Sequence, residues 1–305
     1  MNIKIKKTLN SKAKYNLICG DALGLLPEIK DSSIDHCITD PPYNISGYDH
    51  KRKIGWLQSN GYWKEKKNFN KINEKWDSFS NSSYENFTSS WLEEVFRIIK
   101  PNGNIIIFGS HHNIFTIGNL LNKKNKKILN FITWFKRNAF PNITHRLLCN
   151  STEYIIWAVN NSQKEAKKWV FNYDALKKLN PIKRCKKCKK TLGDNFIYCP
   201  FCGGKNLSVD YTQMRDMWNI LNTPKRERKH GKHPSQKPFE VVRRLILGAT
   251  NKNEVILDPF MGSGTVPLVA KKYKRRFIAI DNKREYCKLA LKRLNSTEQL
   301  TLESI

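Results

Sequence analysis

Residues 255–272 read VILDPFMGSGTVPLVAKK. An apolar run comes first, then a turn with two glycines, then a helix-forming stretch. That order predicts a buried strand over residues 254–257, a loop over 258–265 and a helix through Lys271. Gly262 and Gly264 permit positive φ and let a ligand approach the backbone closely. The helix start behind them offers unpaired N–H groups to an anionic or nucleotide-like group. The next strand, residues 276–280, delivers Asp281 at its carboxyl end, where an acidic side chain binds ribose hydroxyls in a doubly wound fold. The glycine spacing is neither G-x-G-x-x-G nor a Walker loop, which disfavours a nicotinamide or triphosphate site. An ordinary tight βα turn with an incidental acid stays open.

Strands alternate with helices in the rest of the chain too. Residues 15–23 (YNLICGDAL) give a strand, the Gly20-Asp21 turn and a helix start, and residues 33–39 (SIDHCIT) give a second strand. Helical spacing follows over 85–100, a buried strand over 104–108, a helix over 112–121, and strands near 128–135 and 154–159. A helix over 238–249 precedes the glycine loop, and another over 283–294 closes the chain. The fold class is therefore α/β, a Rossmann-like, mostly parallel sheet with helices on it. Residues 44–83 are rich in Asn, Ser and Lys and read as a long loop or lid.

The second strand runs directly into Asp40-Pro41-Pro42-Tyr43, at the sheet edge where ligands bind in open α/β folds. Two prolines end the strand and make the turn rigid. A fixed carboxylate, a free backbone carbonyl and an aromatic face suit the exocyclic amino group of a planar base. Asp40 and the Pro41 carbonyl can accept its two hydrogens, and Tyr43 can stack on the ring. A purely structural turn with a capping Asp is the plain alternative.

Between the strands near 154–159 and the helix at 238 the apolar periodicity fades. Residues 161–230 read as an inserted module between two parts of one domain, 1–160 and 231–305. Cys185, Cys188, Cys199 and Cys202 form two C-x2-C turns ten residues apart. Four thiolates at that spacing suit a closed, structural Zn²⁺ site in a ribbon over 183–206; two disulfides or four free thiols are the alternative. The other cysteines (Cys19, Cys37, Cys149, Cys287) read as buried, inert thiols. Lys183, Arg184, Lys186 and Lys187 crowd the ribbon, and Lys225, Arg226, Arg228, Lys229 and Lys232 form a second basic loop.

The 305 residues carry 55 Lys+Arg against 26 Asp+Glu, a net charge of +29. Such a charge repels itself on compaction and suits a polyanion, nucleic acid first. Phosphate contact is then a better reading of the basic tracts than a merely solvated face. No signal peptide or membrane-spanning run is evident, so the chain reads as soluble and cytoplasmic, with no membrane partner.

Taken together, TDPPYN at 39–44, the basic insert, HPSQKP at 233–238 and DPFMGSGT at 258–265 resemble the amino-group DNA methyltransferases of the beta order. ICGDAL, KWDSF, ITWFKRN, NSTEYIIWA and GKHPSQKP are most similar to the adenine-N6 subgroup of restriction–modification systems, including the GATC-type enzymes. The resemblance implies S-adenosylmethionine as cofactor, double-stranded DNA as substrate and extrusion of the target base. It implies that Asp258, Phe260, Gly262, Ser263, Gly264 and Thr265 surround the methionine part of the cofactor. Asp281 would hold its ribose, Asp21 would lie near its adenine, and His233, Gln236 and Lys237 belong to an element beside it. Asp40, Pro41, Pro42 and Tyr43 would take the target base. A homodimer and a cognate endonuclease are partners the resemblance suggests. The zinc ribbon departs from the family's plain pattern.

Two alternatives keep different chemistry in view. Cytosine-N4 methylation uses the same amino-group mechanism, although Asp rather than Ser at the head of the catalytic turn favours adenine. A non-catalytic zinc-ribbon DNA-binding protein would have no need of the cofactor.

Overall fold

A computed structural model describes residues 5–6, 13–44, 81–139, 141, 146–193, 195–231 and 233–296. The expected lid lies outside them except at its ends, as does Lys232. In chain order the elements are β1 (Ile5–Lys6), β2 (Tyr15–Cys19), α1 (Ala22–Leu25), β3 (His36–Thr39), α2 (Asn81–Ile98), β4 (Asn104–Gly109), α3 (Ile114–Lys123) and β5 (Lys126–Phe135). There follow β6 (Thr152–Ser162), α4 (Tyr173–Lys178), β7 (Pro181–Cys185), β8 (Thr191–Leu192), β9 (Leu207–Tyr211) and β10 (Met217–Asn219). The chain ends with α5 (Phe239–Ala249), β11 (Val255–Asp258), α6 (Thr265–Lys272), β12 (Arg276–Asp281) and α7 (Arg284–Ser296).

Nine strands form the main sheet in the order β1-β2-β12-β11-β3-β4-β6-β5-β10. Only β6 runs against its neighbours, pairing antiparallel with both β4 and β5. The carboxyl ends of β2, β3, β5, β11 and β12 therefore open on one edge. Successive residues of β4 alternate between the two faces, as a strand buried on both sides requires. Ile105 and Ile107 pack with Trp91, Leu92 and Ile117 of α2 and α3. Ile106 and Phe108 pack with Val241, Leu245, Val266 and Ala290 of α5, α6 and α7.

Residues 161–230 do more than the fading periodicity predicts. Strand β10 joins the main sheet, pairing parallel with β5 in the register Trp218↔Trp134. Trp218 is buried, and the Trp134 indole donates to the Ile220 carbonyl at 2.7 Å. A three-residue strand is too short for alternation to reveal it. Strands β8-β7-β9 form a separate sheet that carries the four ribbon cysteines or flanks them. This small sheet is closed across its base. Asn180 Nδ2 donates to the Thr212 and Gln213 carbonyls (3.3 and 3.0 Å), and Thr212 N donates to the Asn180 carbonyl at 3.2 Å.

Cys37 and Cys287 are buried as expected, but Cys19 is half-buried and Cys149 is exposed, in the loop that follows β5. Among the described residues no helix is long and apolar enough to cross a membrane.

Candidate active site

Positive φ occurs at both loop glycines, +49° at Gly262 and +75° at Gly264. A Cβ on Gly264 would stand 2.6 Å from the Ala290 Cβ, and one on Gly262 would stand 2.9 Å from His233 Nε2. Side chains are thus excluded twice over, by dihedral and by space. Beneath the loop, the buried Arg293 guanidinium donates through Nη1 to the Ser263 carbonyl (2.6 Å), Ser263 Oγ (2.9 Å) and Thr265 Oγ1 (3.1 Å). Burial brings Arg293 down to about 10.

Asp281 ends β12 and accepts from Gly262 N at 2.9 Å and Lys283 N at 2.8 Å. Burial outweighs these bonds and raises it to about 6. Asp258 is more deeply buried, which lifts it to about 8 against the hydrogen bonds from Thr39 Oγ1 and Phe260 N. Those bonds fall on Oδ1 at 2.9 and 3.3 Å. Asp21 caps α1 by accepting from Gly24 N at 3.1 Å.

These groups share one cavity of about 340 Å³ with the Asp40–Tyr43 turn. Its wall includes Asp21, His233, Gln236, Asp258, Phe260, Gly262, Ser263, Thr265 and Asp281, as well as Asp40, Pro41, Pro42, Tyr43 and Lys237. Gly264 is not part of the wall; it precedes α6 and packs on Ala290. Gln236 is buried, and its Oε1 has no partner among the described residues.

At the other end of the cavity Lys237 Nζ lies 2.5 Å from Asp40 Oδ2 and 3.5 Å from Glu153 Oε2. The Lys237 side chain is only 5% exposed, so its charge depends on those carboxylates. Burial would lower Lys237, but Asp40 and Glu153 together hold it above the ordinary lysine value. Tyr43 OH donates to Asp40 Oδ1 at 2.7 Å and approaches Glu153 at 3.5 Å. Lys136 completes the group, 3.1 Å from Glu153 Oε1. Burial raises Asp40, with Lys237 opposing. Glu153 stays below the ordinary glutamate value, because Lys237 and Lys136 override the effect of its burial.

Tyr43 is therefore less open than a stacking platform read from sequence. The Lys237 ammonium sits 5.0 Å over its ring. The turn itself is held by Tyr84, whose OH donates to the Pro42 carbonyl at 2.8 Å and accepts from Asn113 Nδ2 at 3.1 Å. The Pro41 carbonyl makes no hydrogen bond among the described residues. Glu153, Lys136, Tyr84 and Arg293 were not singled out by motif reading. Glu153 and Lys136 do carry a sequence signal, since they lie in the family-like stretches NSTEYIIWA and ITWFKRN, whereas Tyr84 and Arg293 lie in none.

The basic loop is tied to the cavity wall. Lys225, Arg226 and Arg228 are exposed, whereas Glu227 turns inward and accepts from Phe239 N at 2.9 Å. Gln236 Nε2 donates to the Glu227 carbonyl at 3.0 Å.

In the ribbon, the Sγ atoms of Cys185, Cys188, Cys199 and Cys202 all lie within 4.8 Å of one another. The close pairs are 3.6 Å (Cys185–Cys202) and 3.5 Å (Cys188–Cys199), so the thiols are not paired as disulfides. Lys183 Nζ donates to the Phe196 carbonyl, Arg184 reaches Asp210 at 3.7 Å, and Lys186 and Lys187 are exposed.

Known proteins agree with this architecture. A type II methyltransferase of Lactococcus lactis subsp. cremoris, M2.LlaDCHI, is 36% identical over 295 residues, 96% of this chain and 94% of that protein. M2.DpnII of Streptococcus pneumoniae is 35% identical over 299 residues, 97% of this chain and 96% of that protein. The crystal structure of an M1.HpyAVI–SAM complex is 25% identical, with a TM-score of 0.54 over 91% of this chain and 97% of that one. PvuII DNA methyltransferase, cytosine-N4-specific, shares the fold at 16% identity and a TM-score of 0.59, over 90% of this chain and 84% of that one. The DNA methylase family model of N6/N4 methyltransferases matches residues 34–292, and the chain belongs to that family.

Proposed function

We propose that this methylase transfers a methyl group from S-adenosylmethionine to the N6 amino nitrogen of an adenine in duplex DNA. The observation that carries the reading is the shared cavity, with the glycine loop at one end and Asp40–Tyr43 at the other. Its donor set fits the cofactor. Three carboxylates (Asp21, Asp258, Asp281) suit ribose hydroxyls and cationic groups, and the Gln236 Oε1 is a buried acceptor still without a partner. Asp258, Phe260, Gly262, Ser263 and Thr265 would hold the methionine part, Asp281 the ribose, and Asp21 the adenine end. His233 and Gln236 close the wall, Gly264 shapes the loop, and Lys237 acts on Asp40. When bound, S-adenosylmethionine supplies an electrophilic methyl group on a positively charged sulfur.

The chain's own residues then have two tasks. Asp40 and the Pro41 carbonyl accept the two amino hydrogens, which turns the nitrogen lone pair out of conjugation with the ring and fixes its direction. Positive charge developing on that nitrogen is met by Asp40 and Glu153, and Asp40 takes the proton. Lys237 and Lys136 balance the two carboxylates beforehand. Glu153→Gln leaves Lys237 and Lys136 in excess at this point. The variant is expected to lower kcat by about ten- to a hundredfold with little change in the KM for cofactor. Its pH–rate profile should also move, because Glu153 helps hold Asp40 up; the acidic limb shifts to lower pH. An unshifted limb would reduce Glu153 to a packing role.

Asp258 and Asp281 predict a pH dependence of cofactor binding. With values of about 8 and about 6, Asp258 is mostly protonated at neutral pH in the free protein and Asp281 titrates just below it. A cationic ligand favours the carboxylate forms, so binding releases protons. Affinity should rise with pH up to about 8 and level off above it, by at most about tenfold per pH unit for each proton released. Calorimetry in two buffers of different ionisation enthalpy measures the proton count. Equal heats would remove both carboxylates from the cofactor's ligands.

We infer that Cys185, Cys188, Cys199 and Cys202 hold a structural Zn²⁺. A tetrahedron with Zn–S bonds of about 2.3 Å has S–S edges of about 3.8 Å, close to the spacing the thiols already have. Four cysteine thiolates leave a tetrahedral zinc with two excess negative charges, which suits a knuckle crowded by Lys186, Lys187 and Arg184. Those cations and Lys183, together with Lys225, Arg226 and Arg228, would then contact phosphates.

The test of function is methyl transfer from labelled cofactor to unmethylated genomic DNA, followed by nucleoside analysis. N6-methyladenine is expected. N4-methylcytosine would overturn the base, and DNA binding without any transfer would leave a zinc-ribbon binding protein.

A further inference from the structure

The loop between β5 and β6 leaves two leucines in solvent, Leu147 at 73% exposure and Leu148 at 91%. Neighbouring leucines in an ordinary surface loop gain by folding back onto apolar surface, and these do not. Their position is specific. The loop is pinned at its base by Lys136 N donating to the Ser151 carbonyl at 2.7 Å. Lys136 and Glu153, which bracket that base, belong to the cluster around Asp40, Tyr43 and Lys237. Asn138 joins the loop to the basic segment, accepting from Asn222 N at 2.8 Å and Asn222 Nδ2 at 3.2 Å. The leucines thus belong to a loop whose base adjoins the Asp40 cluster; the loop carries the exposed Arg137 and Arg146 and is bonded through Asn138 to the segment that precedes Lys225, Arg226 and Arg228.

That pocket also sets a requirement. Asp40 is 18% exposed and sits behind Tyr43 and Lys237, where an amino group inside a base stack cannot reach it. The target base must leave the stack, and the gap it leaves must be filled. Apolar side chains can enter a base stack, as they do between base steps in DNA-bending proteins, while flanking cations hold the phosphates. We propose that Leu147 and Leu148 form a wedge that enters the DNA stack and occupies the place of the extruded adenine. The proposal rests on the adenine-methylating reading of the same pocket and adds the side chains that keep the base out.

The test compares the wild type with Leu147→Ala/Leu148→Ala on the methylation site found by sequencing modified DNA. Both side chains are exposed, so thermal melting should not change. One duplex carries thymine opposite the target adenine, and the other carries an abasic position there, which removes the pair that must be broken. Single-turnover transfer by the variant should fall about tenfold or more on the paired duplex and return to within about twofold of wild type on the abasic one. With 2-aminopurine at the target position, binding should raise fluorescence for the wild type and much less for the variant. Equal losses on both duplexes, or no loss on either, would overturn the wedge while leaving the activity standing. If the base found modified in that site is not adenine, the adenine reading falls instead, and the wedge with it.

Discussion

Asp40→Ala is expected to lower methyl transfer by about a thousandfold while cofactor affinity stays within about threefold of wild type. The loss follows from chemistry. An adenine amino nitrogen shares its lone pair with the ring, and without Asp40 only the Pro41 carbonyl remains to orient it. No acceptor for its proton is then in place. Cofactor binding should persist because the ligands proposed for it stand on other strands, Asp258 at the end of β11 and Asp281 at the end of β12. The variant should also fold. Lys237 loses its partner at 2.5 Å but keeps Glu153 at 3.5 Å, so its buried ammonium is not left without a counter-charge. Equilibrium binding of cofactor and single-turnover transfer separate the two effects. Loss of cofactor binding in Asp40→Ala would sink the division of labour between the two ends of the cavity.

Replacing the proposed zinc ligands is expected to have the second large effect, on DNA binding rather than on chemistry. Cys185→Ser/Cys199→Ser should reduce zinc from about one per chain to none, since a tetrahedral site does not survive the loss of two thiolates. The ribbon core consists of those cysteines with Leu192 and Leu207, too small to hold β7, β8 and β9 together without the metal. Four cations are displaced with it (Lys183, Arg184, Lys186, Lys187). DNA affinity should drop about tenfold or more near 0.1 M salt, and the salt dependence should flatten by about three counterions. The methylase body should melt as before, because β7, β8 and β9 form a sheet separate from the main one and Asn180 bonds to Thr212–Gln213 across its base. Metal analysis, DNA binding at several salt concentrations and thermal unfolding check the three statements. Unchanged affinity with zinc lost would confine the ribbon to a role away from DNA.

The sheet was legible in the sequence because its signals are local. Each strand from β2 to β4 and from β11 to β12 is a short apolar run bounded by a turn. Its neighbour in the sheet hardly matters to that pattern. The same holds for the functional turns. Asp40-Pro41-Pro42-Tyr43 and Gly262-Ser263-Gly264 are contiguous, and a strand end places them on the ligand edge without knowledge of the rest of the fold.

Register and packing decided what local pattern could not. Lys237 reads as part of the cofactor element from its motif, yet its ammonium rests on Asp40, 197 residues away in the chain. Glu153 reaches the same cluster because β6 runs antiparallel between β4 and β5, which brings Glu153 opposite Trp134 and beside Lys136. A one-residue slip in that pairing would turn Glu153 to the other face of the sheet. Tyr84 and Arg293 buttress the two functional turns from α2 and α7 by hydrogen bonds no motif encodes. By itself the sequence determined the fold class, the two turns and the spacing of the four cysteines, since these are properties of neighbouring residues. The tertiary structure alone determined the charge balance around Asp40 and the strand β10 hidden in the insert. Both arise from side chains that meet only once the sheet has formed.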